Sequence, residues 1–338
     1  MSDRGLEKVQ SVQDVWAQIQ KAYPEANFLQ SPVWGEVNRL IGHKVIGWAN
    51  VENKAYCQMI IKNAKRGRYL EIPGGPLIDW QDKTARQEAL IRIAEIAISE
   101  KCVFVRMRPQ LRKTDANMKH LAELGARIAP MHLHAEHTVM IDLTKSEEDL
   151  LAGMRRQTRY EVRRADKLGI EVEWDNSEEM FQEFHQVQIE TAIRQHFVPP
   201  DLKTLMAECM AFGRQARIYV SRTSDGEAIA YGLIFWDGAE AEYFEAASTE
   251  LNQKLPGSYA LLWRAMRDLK ELGVKRFNLW GIAPPGQKNH RYAGVTTFKT
   301  GFGGEVVEFV PAHDFIVNKA RYQLNLAVET LRKKKRHL

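Results

Sequence analysis

At 338 residues, 44% apolar and 27% charged, the chain has the composition of a folded protein and the length of two domains, which excludes a disordered tail or a mini-protein. Its net charge of +5 permits an anionic partner without demanding one. Three scattered cysteines, Cys57, Cys102 and Cys209, lack metal-ligand spacing and fit free thiols in a reducing compartment, and no apolar run is long enough to cross a bilayer. No apolar segment follows Met1-Ser2-Asp3-Arg4, so no secretory signal and a cytoplasmic setting are expected.

In chain order, residues 11–23 carry Val12, Val15, Trp16 and Ile19 at helical spacing. Phe28-Leu29-Gln30-Ser31-Pro32 then leads through Trp34-Gly35 into a helix. Alternating apolar residues at 44–51 and 55–62 make a hairpin, and 69–72 a strand running into Pro73-Gly74-Gly75-Pro76. A helix over 82–101, a buried strand over 102–107 and a helix over 117–124, closed by Gly125, complete the first half. The second half reads as strand 137–143, a helix through Lys167, strand 170–174, helices 177–193 and 202–212, and strands 216–222, 228–236 and 240–247. On the last of these, period-two alternation puts Tyr243 and Glu245 on one face. A long helix ending at Gly273, a strand over 276–280, a loop, a strand over 306–310 and a helix over 314–332 follow. This order is that of an α/β fold with mixed sheets, repeated once.

The helix after Ser146 carries a one-sided charge pattern. At about 100° per residue, Arg155, Arg156, Arg159, Arg163 and Lys167 share roughly a third of the circumference, opposite Leu151, Met154, Val162 and Ala165. Like charges on one face do not help a helix, so an anion-facing role is expected. The chain closes on a second basic cluster, residues 332–337, able to meet phosphates or anionic lipid.

The densest chemistry lies between Gly281 and Glu305. Pro284, Pro285 and Gly286 forbid regular structure there, and Lys288, His290, Arg291 and Tyr292 crowd five positions. The loop is expected to close on Phe298–Lys299 and a glycine turn, Gly301-Phe302-Gly303-Gly304.

Gly-x-x-x-Phe-Lys-x-Gly-Phe-Gly-Gly-Glu (residues 294–305) resembles the signature of the Fem family, the peptidyltransferases that build peptidoglycan side chains. Leu-Gln-Ser-x-x-Trp-Gly at 29–35 and Met-x-x-x-x-Arg-x-x-x-Arg-Arg-Ala at 154–165 are similar to two further family motifs. The resemblance implies two tandem GNAT-like acyltransferase domains, residues 1–137 with 309–338 packed back on them, and 138–308, without the helical-hairpin arm of some members. It implies transfer of an amino acid from aminoacyl-tRNA to the stem-peptide amine of UDP-MurNAc-pentapeptide or lipid II, with no cofactor and no metal, and contact with the inner membrane face is open to the basic tail. Lys299 is then the oxyanion stabiliser and Phe298 the pocket wall. Trp34, Arg39, Arg155, Arg159, Arg163, Tyr243, His196 and Arg291 are substrate-binding candidates. Departures stand at Asn38, where some relatives have lysine, at Phe197, in place of arginine, and at Glu245, in place of tyrosine. The proton acceptor can be Glu245, a tRNA hydroxyl or water.

Two rivals remain at this stage. An acyl-CoA N-acyltransferase shares the fold, but residues 252–258 (NQKLPGS) do not fit its pyrophosphate loop. A non-catalytic RNA- or precursor-binding scaffold is the other.

Overall fold

The computed structural model describes residues 12–65, 67–195, 197–287 and 292–336, and the side chains of all these except 12–14 and 331–336. Two units emerge, one running to Glu136 and resuming at Glu308, the other spanning His137–Val307.

The first unit begins with α1 (Val12–Ala22), a 3-10 turn at Phe28–Gln30 and α2 (Pro32–Leu40). The α2 start follows from local chemistry. Ser31 Oγ accepts from the Trp34 amide at 3.1 Å, and Pro32 fills the first helical position, where no donor is needed. Strands β1 (Lys44–Asn50), β2 (Ala55–Ala64) and β3 (Gly67–Gly74) form an antiparallel meander. Helix α3 (Lys83–Ser99) then crosses to β4 (Phe104–Pro109), parallel to β3, before α4 (Asp115–Glu123) and the short β5 (Arg127–Ile128).

The second unit contains β6 (His137–Asp142), α5 (Glu147–Gly153), α6 (Arg156–Lys167), β7 (Glu171–Asp175), α7 (Glu178–Gln195), α8 (Leu202–Phe212), β8 (Ala216–Arg222), β9 (Ala228–Asp237), β10 (Glu240–Ser248), α9 (Gly257–Glu271), β11 (Arg276–Gly281), α10 (Ala293–Thr300) and β12 (Glu305–Glu308). The chain returns to the first unit with β13 (His313–Ile316) and α11 (Lys319–Arg336). Sheet orders are β1-β2-β3-β4-β13-β5 and β12-β6-β11-β10-β9-β8-β7. Each sheet is mixed and contains a parallel pair joined by a crossover helix (β3–α3–β4 and β10–α9–β11).

One core of the second unit packs α9 against β6, β10 and β11, through Ile141, Tyr243, Leu261, Met266, Phe277 and Phe302. The opposite sheet face stacks Phe184 on Tyr231 and Phe212 on Phe235.

Three expectations are corrected. The single helix through Lys167 is two, because Met154 and Arg155 take extended backbone (ψ 146° and 144°) between α5 and α6. Phe298–Lys299 sit in the last turn of α10 and not in a loop. Asp314 does not open the final helix; it lies in β13, which inserts between β4 and β5 with Asp314 buried against Arg106.

Candidate active site

The β10–β11 pair positions the site. Their parallel bonding covers only residues 240–242 against 276–278, although β10 runs on to Ser248 along β9. Beyond that point the two strands are no longer bonded to each other, and Trp280 turns β11 away with a left-handed φ of 61°. The carbonyl of Gly281, the last residue of β11, accepts a 3.0 Å hydrogen bond from Lys299 Nζ. Lys299 is 8% exposed, and its nitrogen lies 5.8 Å from the ring centroid of Tyr243 on β10. That ring has room because Gly232 on the neighbouring strand lacks a side chain; a Cβ there would lie 2.6 Å from the tyrosine ring. Burial without a counter-charge pushes the Lys299 amine down from its ordinary 10.5 to about 7. It therefore gives and takes a proton near neutrality.

Helix α10 is anchored at its start, where the Ala283 amide donates to Thr296 Oγ at 2.7 Å, and Thr296 Oγ donates to the Tyr292 carbonyl at 2.7 Å. Phe298 meets Tyr259 edge-on at 5.0 Å and Phe302 at 5.3 Å, so the turn bearing Lys299 is braced by three aromatic rings. The glycine turn after it is pressed against neighbouring backbone. Gly304 has φ +85°, and a Cβ on it would come 2.5 Å from the Met140 carbonyl.

The basic helix face divides. Arg155 donates from its amide to the Gly301 carbonyl at 2.9 Å and from Nη2 to the Thr297 carbonyl at 3.0 Å, tying α6 to the turn that holds Lys299. Arg159 Nη1 lies 3.1 Å from the carbonyls of Leu151, Ala152 and Met154, capping α5. Nη1 of Arg159 thus serves the fold by closing the end of α5. Arg156 and Arg163 are exposed, with no ion pair among the described residues.

Glu245 does not join Tyr243. A β-bulge between them shifts the β10–β9 register and cancels the alternation that would put both on one face. Tyr243 packs in the α9 core, whereas Glu245 accepts from Gln188 Nε2 of α7, on the side where Phe244 meets Phe235. Burial raises the Glu245 carboxyl to about 7, opposed by the Gln188 bond. In the first unit, Trp34 is buried edge-on to Phe28 at 5.1 Å, and Arg39 is exposed and paired with Glu36 at 3.2 Å. His196 and Arg291, with Lys288 and His290, lie outside the described residues, as do the side chains of the basic tail. The structure brings Lys299, Phe298, Tyr243 and Arg155 to one side of the second sheet. Sequence reasoning passed over Tyr259, which meets Phe298 edge-on and carried no motif signal of its own.

The FemAB family model matches residues 13–224 and 213–330. The chain belongs to the FemAB family. A lipid II:glycine glycyltransferase of Staphylococcus haemolyticus is 21% identical over 90% of this chain and 91% of its own length, and aminoacyltransferase FemA of Staphylococcus epidermidis 30% over 31% and 25%. This FemAB protein is an acyltransferase. Its fold matches the crystal structure of FemX with a TM-score of 0.83 at 18% identity, covering 94% of this chain and 98% of that one. A tandem GNAT protein from the clavulanic acid pathway gives 0.57 at 12% identity, covering 91% and 95%, in keeping with two GNAT-like units. Among the described residues no helix is long and apolar enough to cross a membrane, and no group of three or more His, Cys, Asp or Glu is placed to hold a metal.

Proposed function

We propose that this FemAB protein moves an aminoacyl group from aminoacyl-tRNA to the stem-peptide amine of a peptidoglycan precursor, UDP-MurNAc-pentapeptide or lipid II. The observation that carries the reading is the buried Lys299 amine, held on the Gly281 carbonyl beside Tyr243, in a chain whose relatives include a lipid II:glycine glycyltransferase.

The acceptor amine attacks the ester carbonyl, whose oxygen becomes negative in the tetrahedral intermediate. Protonated Lys299 stabilises that charge more than it stabilises the neutral ester, which is the requirement for acceleration. Collapse breaks the acyl–oxygen bond; the amine gives up one proton and the departing ribose oxygen gains one. Phe298, closed in by Tyr259 and Phe302, keeps water from the ester. Arg155 positions the Lys299 turn, and exposed Arg156 and Arg163 offer charge to substrate phosphates. Trp34 and Arg39 are assigned to the acceptor, and the domain assignment follows the two units.

The acyl-CoA alternative has less support. At the start of α9 the Ser258 amide already donates to Asn252 Oδ1 at 3.0 Å, and a side chain on Gly257 would collide with Ile229, so this helix start is filled by the protein itself. The test combines purified protein, UDP-MurNAc-pentapeptide or lipid II and a set of aminoacyl-tRNAs, read by mass spectrometry. The expected product is heavier by one aminoacyl residue; no adduct with any donor on either acceptor overturns the reading.

A further inference from the structure

Lys299 owes its acceptor to the way β11 ends, and two buried polar side chains control that end. Across β6, Asn278 stands opposite Met140 and Gly281 opposite Thr138, so β11 takes three steps where β6 takes two. The extra residue is absorbed at Trp280, whose left-handed φ of 61° strains a bulky side chain. Beyond it the Ile282 amide donates to the His137 carbonyl at 3.0 Å. In a trans peptide the carbonyl points opposite to the amide, so the Gly281 carbonyl is turned from β6 toward the side where β10 no longer bonds. Lys299 Nζ meets it there at 3.0 Å.

A connected set of hydrogen bonds keeps Trp280 in that conformation. Asn278 and Thr138 are each 1% exposed. Asn278 Oδ1 accepts from the Trp280 amide at 3.0 Å and from the Thr138 hydroxyl, whose oxygen also lies 3.2 Å from the Trp280 carbonyl. Both backbone polar groups of the strained residue are therefore engaged. The Asn278 amide is itself oriented: its Nδ2 lies 3.3 Å from Glu240 Oε1, while Glu240 Oε2 accepts from Arg276 Nε at 3.0 Å. A carboxylate thus fixes the nitrogen end of the amide and leaves the oxygen end for Trp280. Among the described residues no hydrogen bond joins Thr138 or Asn278 to Lys299; the link between them is the backbone of residues 280 and 281.

We propose that Thr138 and Asn278 are positioning residues for transfer: by holding Trp280 left-handed they aim the Gly281 carbonyl at Lys299 and so fix where its ammonium points. That carbonyl takes one of the three ammonium donors and leaves two for the developing oxyanion. The role in transfer rests on the aminoacyl-transfer reading; the hold on Lys299 does not. Without the hold, a buried ammonium loses its acceptor, which favours the neutral amine. Tyr243, the titratable group beside it, stays neutral through that change, because burial raises its hydroxyl above the ordinary 10.

The experiment reads Lys299 in the full chain by NMR of ¹³Cε-labelled lysine, its signal assigned through Lys299→Arg, and needs no substrate. The wild-type midpoint is expected at about 7. Thr138→Val keeps the shape and removes the hydroxyl; its midpoint is expected to fall by about half a pH unit or more, and Thr138→Ser to restore it. Asn278→Leu should give a similar fall, and the double variant with Thr138→Val little more than either alone, since both act through Trp280. In the transfer assay these variants lose roughly tenfold or more in kcat, while KM for either substrate stays within about twofold. Thr138→Ala is read in the same way where the valine chain does not fold. A midpoint that stays or rises without the hydroxyl overturns the inference even where transfer is intact, as do a serine variant that restores nothing and falls that add in full. An unchanged kcat beside a lowered midpoint removes the positioning role. Midpoints that fall as expected in a protein whose wild type transfers nothing support the hold on Lys299 and count against the transfer reading.

Discussion

Lys299 Nζ lies 5.8 Å from the Tyr243 ring centroid and 3.0 Å from the Gly281 carbonyl, and no carboxylate pairs with it among the described residues. An amine so placed is held at a cost to the fold. Its folded pKa is about 7 against an ordinary 10.5, so between those values the unfolded chain binds more protons than the folded one. Stability therefore rises with pH across that window, and below about 7 the full penalty is present. Lys299→Met removes the penalty. It is expected to melt several degrees above the wild type at pH 6.5, with the gap shrinking at about 1.4 kcal/mol per pH unit toward pH 10, while transfer is lost. Thermal scans from pH 6 to 10 beside single-turnover assays check both halves; a variant less stable than the wild type at pH 6.5 contradicts them.

Phe298 contributes through its ring contacts with Tyr259 and Phe302. On the proposed transfer reading Phe298 walls off the reacting ester; Phe298→Ala removes that wall with both ring contacts and is expected to cost about 2–4 kcal/mol of stability. If the wall excludes water, the ratio of donor hydrolysis to transfer rises at least several-fold, while Phe298→Leu keeps most of the wild-type ratio. An unchanged ratio in the alanine variant removes that role. Quantifying free amino acid and product in the same reaction decides it.

Two arginines of one helix face are expected to behave differently. Arg159 caps the α5 carbonyls, so Arg159→Ala should cost about 1–3 kcal/mol in urea unfolding and leave the salt dependence of RNA binding alone. Arg163 is exposed and makes no such bonds, so Arg163→Glu should leave stability within about 0.5 kcal/mol and flatten the salt slope by about one contact. Equal behaviour of the two variants would contradict the division seen in the structure.

Much of this fold was readable because local signals and tertiary packing agree. The hairpins at 44–62 and 216–236 alternate as strands do, and Gly125 and Gly273 close their helices. The failures sit where neighbours distant in sequence decide. Residues 147–167 keep helical spacing throughout, yet the chain breaks at Met154, where the Gly301–Gly304 turn lies against Gly153 and Met154. The segment at His313–Ile316 becomes a strand because β4 presents Arg106 to Asp314. Lys299 stood out through its motif, but nothing in the chain around it disclosed that it would be buried without a counter-charge. The bulge that separates Tyr243 from Glu245 has no glycine to mark it, so alternation misled.

The tail that follows the second unit is held by an ion network that ought to dominate its attachment. Arg106 donates to both oxygens of Asp314 at 2.8 Å and to Glu329 of α11 at 2.8 Å, and Tyr322 donates to Asp314 at 2.9 Å. Burial disfavours the guanidinium, but these carboxylates more than compensate and hold its pKa above the ordinary arginine value. Asp314→Ala takes the fully buried, two-oxygen partner from the Arg106 cation beside Phe104 and leaves it the single bond to Glu329; it is expected to cost about 3 kcal/mol. Replacing both partners, as in Arg106→Met with Asp314→Leu, should recover a large part of that loss, because the desolvation penalty goes with the charge. Urea unfolding of the two single variants and the double variant measures the coupling. A double variant as unstable as Asp314→Ala would mean that the tail is held by the specific geometry of the bonds and not by the cancelling of charge.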